Sequence, residues 1–182
     1  LDRVKSDPSL TFLQVIYHGN DSLEIVPMDS TRFISGIHGK YNDWLLFVHG
    51  DSKSFSQAVM RGLYIQELYD VNVIVFSWPS KDPEISGIKN FKNSRQNVIK
   101  SMGHFTSLIC LMRSFRDLYP DFNSGSRLSM FIHSLGNFYL ENLVLLKKSL
   151  CGPPAVFDNL VLNAAAVNQE HHTEWVEELQ FQ

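Results

Sequence analysis

The feature of this sequence that most constrains its fold is a series of short apolar runs, each followed by a longer stretch with helical periodicity. The runs predict strands near Trp44–Val48, Val71–Phe76, Leu128–His133 and Leu160–Ala164. Strands that alternate with helices form parallel sheets, because a parallel connection needs a crossover segment. We therefore expect an α/β fold: a mostly parallel, twisted sheet with helices on both faces, in three layers.

Two further strands are predicted at the start of the chain. Thr11–Tyr17 and Leu23–Val26 flank the turn-forming cluster HGNDS at His18–Ser22. A cluster of this kind closes an antiparallel hairpin. The predicted fold therefore begins with an antiparallel pair of strands.

Helices are predicted to begin near Ser54, Ser94, Ser134 and Thr173. The first opens with a capping box, Ser54-Phe55-Ser56-Gln57. The second carries an apolar stripe as far as Tyr119, and the third is expected to end at Gly152.

The polar segment Asp82–Asn97 contrasts with these periodic stretches. It contains Pro83 and Gly87 and shows no apolar periodicity. This pattern predicts a mobile surface loop, which could act as a lid.

Composition limits the classes of molecule that the protein is expected to bind. The chain has 182 residues with 44% hydrophobic content, which is enough for one core, and we treat 1–182 as a single domain. The net charge of -3, from 16 Lys and Arg against 19 Asp and Glu, predicts no nucleic-acid partner. The apolar runs are too short for a membrane span, so no transmembrane segment is expected.

The cysteines and the first residues indicate little about the cellular compartment of the protein. Cys110 and Cys151 suggest neither a disulfide framework nor a metal site, so both are expected to be ordinary thiols. No signal peptide pattern opens the chain, although a start at Leu1 suggests that an upstream segment was removed. The compartment is weakly constrained, with the cytoplasm slightly favoured.

Ser134 is the leading candidate for a catalytic residue. It lies between a predicted strand and a predicted helix, the context of a nucleophile elbow, in which a strained backbone lifts the serine hydroxyl clear of the sheet. Gly136 supplies the small residue that this turn needs, whereas Ile132 stands where the motif usually has glycine and is expected to crowd the turn. The alternative is a strand end followed by a helix that Ser134 caps.

The ends of two neighbouring strands supply further candidates. His49-Gly50-Asp51 follows the first strand of the parallel sheet, where the backbone amide of Asp51 could form an oxyanion hole with the amide of Leu135. His49 is expected to be a packed residue that shapes this loop. Trp78, after the next strand, is either a pocket wall or a core residue. We predict a substrate pocket edged by His49, Gly50 and Trp78.

Four segments, in order, resemble the successive motifs of one branch of the α/β-hydrolase superfamily: FVHGDSKSFSQAVMRG, VIVFSWPS, FIHSLGNF and FDNLVLNAAAV. That branch consists of bacterial esterase- and lipase-like proteins of unknown function. The resemblance spans roughly Trp44 to Asn168, and its motifs are specific jointly rather than singly. It implies the α/β-hydrolase fold with Ser134 as the nucleophile.

The chain departs from that branch at the triad acid. Where the branch usually has Ala-Pro-Asp, this chain has Ala164-Ala165-Ala166, so the carboxylate is absent at Ala166. The usual histidine would follow Gln182, so we expect either a C-terminally truncated domain or a parent without the catalytic half. Glu170, His171 and His172 are the alternative acid and bases, although adjacent histidines before a helix more often mark a solvated helix start. We predict no complete triad within the chain.

Two functions from different classes fit these observations. The leading one is a serine hydrolase for a carboxylic ester or related acyl bond, with a small acyl substrate and no cofactor. The alternative is a catalytically silent scaffold that binds an apolar ligand or a protein, which Ile132 and Ala166 favour. No metal site is predicted, since His171 and His172 are adjacent in sequence. An open sheet edge would permit self-association.

Overall fold

A computed structural model of the chain describes residues 10–20, 22–35, 41–118, 125–145, 156–167, 170, 172–177 and 179. The elements in chain order are β1 (Phe12–Gly19), β2 (Ser22–Met28), α1 (Ser30–Ser35), β3 (Trp44–Val48), α2 (Phe55–Tyr69), β4 (Asn72–Phe76), α3 (Gly87–Leu118), β5 (Leu128–His133), α4 (Asn137–Leu145), β6 (Asn159–Asn163) and α5 (His172–Glu177). A single 3-10 turn, Ser134–Gly136, joins β5 to α4.

Strands β3 to β6 form one parallel sheet in the order β4-β3-β5-β6. Leu46 of β3, for example, pairs with Ile74 of β4 and Met130 of β5. The prediction that these apolar segments form one mostly parallel sheet is therefore confirmed. Because the strands are parallel, the segments that follow them meet at one edge of the sheet, which we call the carboxyl edge.

Helices cover both faces of this sheet, as the alternation of elements predicts. α2 packs closely on β4: a Cβ at Gly62 would lie 2.5 Å from Cγ2 of Val75. On the other face, the ring of Phe76 lies 5.3 Å from that of Phe105 in α3 and 5.4 Å from that of Tyr139 in α4. The main core lies between the sheet and these two helices.

β1 and β2 pair antiparallel as predicted, but they form a sheet of their own rather than the first strands of the main sheet. α1, which follows β2, contacts both this hairpin and α3. Its Ile34 packs with Leu111 and Phe115 of α3, and the ring of Phe33 lies 4.8 Å from that of Phe12 in β1. The hairpin is therefore linked to α3 through α1.

α2 begins at the predicted capping box. The Ser54 hydroxyl accepts the N–H of Gln57 at 3.3 Å, and the Gln57 side chain accepts the N–H of Ser54 at 3.0 Å. Asp70 ends the helix in the left-handed conformation, with φ of 52°. The capping box fixes the point at which the loop after β3 becomes helix.

The segment Asp82–Asn97 is not a loop, which corrects the prediction. α3 begins at Gly87, so most of this segment is helix. Asn90 and Ser94 are each only 1% exposed. The apolar pattern missed this part of α3 because its buried residues are polar and are satisfied by hydrogen bonds to the loops after β3 and β4.

The expectations for the cysteines and the later helices had mixed outcomes. Cys110, in α3, is disulfide-bonded, which corrects the expectation of an ordinary thiol. Cys151 and the predicted helix end at Gly152 lie outside the described residues. α5 begins at His172, next to the predicted start at Thr173.

Candidate functional site

The chain turns sharply at Ser134, directly after β5. Ser134 has a φ of 51°, in the left-handed region that favours glycine. This conformation costs a residue with a side chain about 1 kcal/mol, so it persists only where the surroundings hold it. It is the strained conformation expected of a serine at an elbow between strand and helix.

Two glycines allow the loop after β3 to pack against this turn. A Cβ at Gly50 would lie 2.8 Å from Cβ of Ser134 and 3.1 Å from the carbonyl oxygen of His133. A Cβ at Gly136 would lie 2.9 Å from the carbonyl oxygen of His49. A side chain at either glycine would therefore push the loop and the turn apart.

The crowding expected from Ile132 does not occur. Its side chain is fully buried in the main core, with 0% exposure. Its Cγ2 would lie 3.1 Å from a Cβ at Gly136, so the missing side chain of that glycine supplies the space. The tight 3-10 turn after Ser134 then leads into α4 past Ile132.

Neighbouring residues hold the turn from the β6 side. The Ser134 carbonyl accepts hydrogen bonds from Nδ2 of Asn137 at 2.9 Å and from the N–H of Ala166 at 3.2 Å. Nδ1 of His133 lies 2.7 Å from Oδ1 of Asn163 at the end of β6. Ala166 stands where the related branch has its acid. Among the described hydrogen bonds, it therefore contacts the candidate nucleophile through its backbone N–H and not through a side chain.

The hydroxyl of Ser134 is not used to cap α4. The residue that precedes the helical turn is His133, which makes no side-chain capping bond. No described residue forms a hydrogen bond with Oγ of Ser134, and the side chain is half-buried. The capping alternative therefore does not account for a serine at this position.

His49 is a packed residue, as expected, and its ring is held from two sides. Nδ1 donates to the carbonyl of Gly50 at 2.9 Å, and Nε2 accepts the N–H of Trp78 at 3.2 Å. The ring stacks on the Trp78 indole at 5.3 Å. Burial lowers the pKa of His49 from 6.5 to about 4. The ring is therefore neutral near pH 7, with both nitrogens engaged within the fold.

Trp78 belongs to the core and also borders an open cleft. It is 4% exposed, and its Nε1 donates to the carbonyl of His49 at 2.9 Å. The cleft, of about 540 Å³, lies between the start of α2 and the segment after β4, and Lys53–Phe55, Ser77–Lys81 and Pro83 line it. Of the three predicted pocket residues, only Trp78 borders it; neither His49 nor Gly50 does.

The amides predicted to form an oxyanion hole belong to Asp51 and Leu135. Leu135 follows Ser134 directly, and Gly50, which precedes Asp51, abuts the Ser134 side chain. Within the described part of the chain, neither amide donates a hydrogen bond to the protein.

Sequence reasoning missed Asn90, which contacts the Asp51 loop. Its Nδ2 lies 2.8 Å from Oδ1 of Asp51 and 3.0 Å from the carbonyl of Ser80. Asn90 and Ser94 are four residues apart and share one helix face, so a polar stripe was the available signal. Apolar periodicity does not reveal a stripe of this kind.

The alternative acid and bases fall mostly outside the described residues. Glu170 is described and exposed, His171 is not described, and the side chain of His172 at the start of α5 is also not described. In the part of the chain that the structure describes, no three His, Cys, Asp or Glu residues form a group able to bind a metal ion. No described helix has the length and apolar character needed to cross a membrane.

A family model described as "Alpha/beta hydrolase of unknown function (DUF900)" matches residues 30–180. The chain belongs to this family. The family assignment agrees with the parallel sheet and the helices on both of its faces. No curated protein and no solved structure matches the chain significantly.

Proposed function

We propose that this α/β hydrolase is a serine hydrolase that cleaves a carboxylic ester or a related acyl bond, with Ser134 as the nucleophile. One observation carries the proposal. Ser134 is held in a left-handed conformation at the carboxyl edge of the sheet, with its hydroxyl bound to no described residue. Strain of this kind, in a serine between a strand and a helix, is typical of a nucleophile elbow.

The surroundings of Ser134 support acyl transfer. Oγ attacks the carbonyl carbon of the ester and loses its proton to a base, and the carbonyl oxygen becomes an oxyanion. The amides of Asp51 and Leu135 donate to that oxyanion. The oxyanion then collapses, the C–O bond breaks as the protonated base gives its proton to the departing alcohol oxygen, and water hydrolyses the acyl-serine that remains. His49 does not serve as the base, because both of its ring nitrogens are bonded within the fold.

The test is covalent labelling with a fluorophosphonate, which reacts with activated serines. We expect labelling at Ser134, located by peptide mass spectrometry, and its loss in Ser134→Ala. Ser129→Ala is the matched control, because Ser129 lies on the same strand, where Asn159 donates to its hydroxyl at 3.1 Å. The Ser129→Ala variant should be labelled at Ser134 to the same extent as the wild type. A wild-type protein that stays unlabelled would overturn the proposal.

The second candidate function, a silent scaffold that binds a ligand or a protein, rests on Ala166. This residue contacts the Ser134 carbonyl at 3.2 Å and carries no carboxylate. A site without a triad acid loses much of its activation of the serine. The scaffold therefore predicts an unlabelled Ser134 together with an intact fold.

A further inference from the structure

We infer that Asn90 is a positioning residue for the oxyanion-stabilising amide of Asp51. The inference rests on the proposed function, since it assigns a role to Asn90 in that same site. Asn90 lies in the first turn of α3, distant from Ser134 in sequence. Among the described contacts, it touches neither Ser134 nor the cleft beside Trp78. It acts through the loop that carries Asp51.

The Asn90 amide group joins three segments of the chain. Nδ2 lies within hydrogen-bond distance of Oδ1 of Asp51 (2.8 Å), Oγ of Ser52 (3.0 Å), the carbonyl of Ser80 (3.0 Å) and Oγ of Ser94 (3.4 Å). Oδ1 accepts the N–H of Asp82 at 3.0 Å. One buried side chain therefore bonds the loop after β3, the segment after β4 and its own helix.

The two loops that Asn90 joins are also bonded to each other. The Ser80 carbonyl accepts the N–H of Ser52 at 3.0 Å and the hydroxyl of Ser94 at 2.7 Å. The Ser80 hydroxyl donates to the carbonyl of Lys53 and accepts the N–H of Lys53, both at 3.0 Å. Ser52 has a φ of 58°, so the loop after Asp51 is strained and needs these bonds to keep its shape.

Asn90 contributes the one side-chain contact from α3 to Asp51 among the described residues. Within the described part of the chain, the other carboxylate oxygen of Asp51 accepts one hydrogen bond, from the neighbouring Ser52 hydroxyl at 3.1 Å. Without the amide donor, the Asp51 side chain and the Ser52 hydroxyl lose their link to the buried network. The bonds of Ser52 and Lys53 to Ser80 remain, but the Asp51 side chain is no longer anchored to α3, so the Asp51 amide is held less firmly relative to Ser134. Misplacement of a catalytic donor by about 1 Å costs on the order of 100-fold in rate.

The first experiment measures the rate of fluorophosphonate labelling at Ser134 in Asn90→Ala and Asn90→Asp. We expect both variants to label about 10- to 100-fold more slowly than the wild type. For any ester that the protein hydrolyses, kcat should fall while KM changes little, because the amide acts on the oxyanion of the transition state. Asn97→Ala is the matched control: Asn97 is on the same helix and donates to the Pro79 carbonyl at 2.9 Å, but it does not contact Asp51.

The second experiment exchanges the two partners. Asn90→Asp keeps an acceptor for the N–H of Asp82 but places two carboxylates side by side, and the further change Asp51→Asn restores a donor between positions 51 and 90. We expect the double variant to label at least about 10-fold faster than Asn90→Asp alone. A loss caused by general damage to α3 would not be reversed in this way.

The outcomes separate the inference from the proposed function. An unlabelled wild-type Ser134 overturns both. Wild-type labelling with unchanged rates in the Asn90 variants overturns the inference alone. An equal loss in Asn97→Ala, or an exchange that restores nothing, also overturns the inference and leaves the proposed function standing.

Discussion

The left-handed backbone conformation of Ser134 is unfavourable in free energy for a residue with a side chain, but not for glycine. We predict that Ser134→Gly raises the free energy of unfolding by about 1 kcal/mol relative to Ser134→Ala, because alanine keeps the left-handed strain and glycine removes it. Denaturation by urea measures the difference, and both variants should be unlabelled. Equal stabilities would mean that Ser134 is not strained in solution.

His49 makes the second prediction at this scale, which concerns pH. Its pKa is lowered by burial from 6.5 to about 4, so the unfolded chain binds a proton more readily than the folded chain in that window. The free energy of unfolding is therefore not reduced by His49 above pH 6.5, where the imidazole is neutral in both states. It falls as the pH drops from 6.5 towards 4, where the unfolded chain binds the proton and the folded chain does not. The total loss is on the order of 3 kcal/mol.

Unfolding by urea at a series of pH values tests this prediction. The free energy of unfolding of the wild type should fall between pH 6.5 and 4 by more than that of His49→Gln, which has no group that titrates at this position. Parallel curves for the two proteins would contradict the prediction.

At the scale of elements, α3 shows where sequence reasoning succeeds and where it stops. Apolar periodicity located the strands and the part of α3 after Ser94, because those residues face the core and repeat at the spacing of their element. The first part of α3 buries Asn90 and Ser94 instead. Hydrogen bonds to distant loops stabilise these residues, and a single sequence does not reveal such partners.

Hydrogen exchange tests the corrected start of α3. We predict that backbone amides from residue 91 to 97 exchange slowly, at rates like those later in α3, because they lie within the helix Gly87–Leu118. The amides of Lys81, Ile85 and Ser86 provide the comparison, since they precede the helix and donate to no described residue, unlike those of Asp82 and Glu84. Exchange from 91 to 97 as fast as at those three amides would restore the loop interpretation.

At the scale of the whole molecule, different polar contacts lie at the carboxyl edge of the parallel sheet and at the opposite edge, where the strands begin. The carboxyl edge holds Ser134 and the Asn90 contacts with the loops after β3 and β4. At the opposite edge, the Asp43 carbonyl accepts the N–H of Asn72, and the Trp44 N–H donates to the carbonyl of Arg127. The motif at Ser134 predicted which edge carries the candidate chemistry. It did not predict how the loops there are held, since those bonds join residues distant in sequence.

Asp158 is the centre of the contacts at the edge opposite Ser134. It forms an ion pair with Arg116 of α3 at 3.1 Å, its second oxygen accepts the N–H of Leu128 at 2.7 Å, and the side chains of the pair are 27% and 14% exposed. We predict that Asp158→Ala lowers the free energy of unfolding by about 2 kcal/mol, because it leaves a half-buried guanidinium and a strand N–H without this acceptor.

The same variant tests the division of roles between the two edges. Asp158→Ala lies at the amino ends of β5 and β6, whereas Ser134 follows the carboxyl end of β5, so the rate of fluorophosphonate labelling at Ser134 should stay within about twofold of the wild type. Asn90→Ala should show the opposite balance, with a large loss of labelling rate. Urea denaturation and labelling of both variants under one set of conditions measure this contrast. A large loss of labelling in Asp158→Ala, under conditions where it is folded, would show that the two edges are coupled through β5.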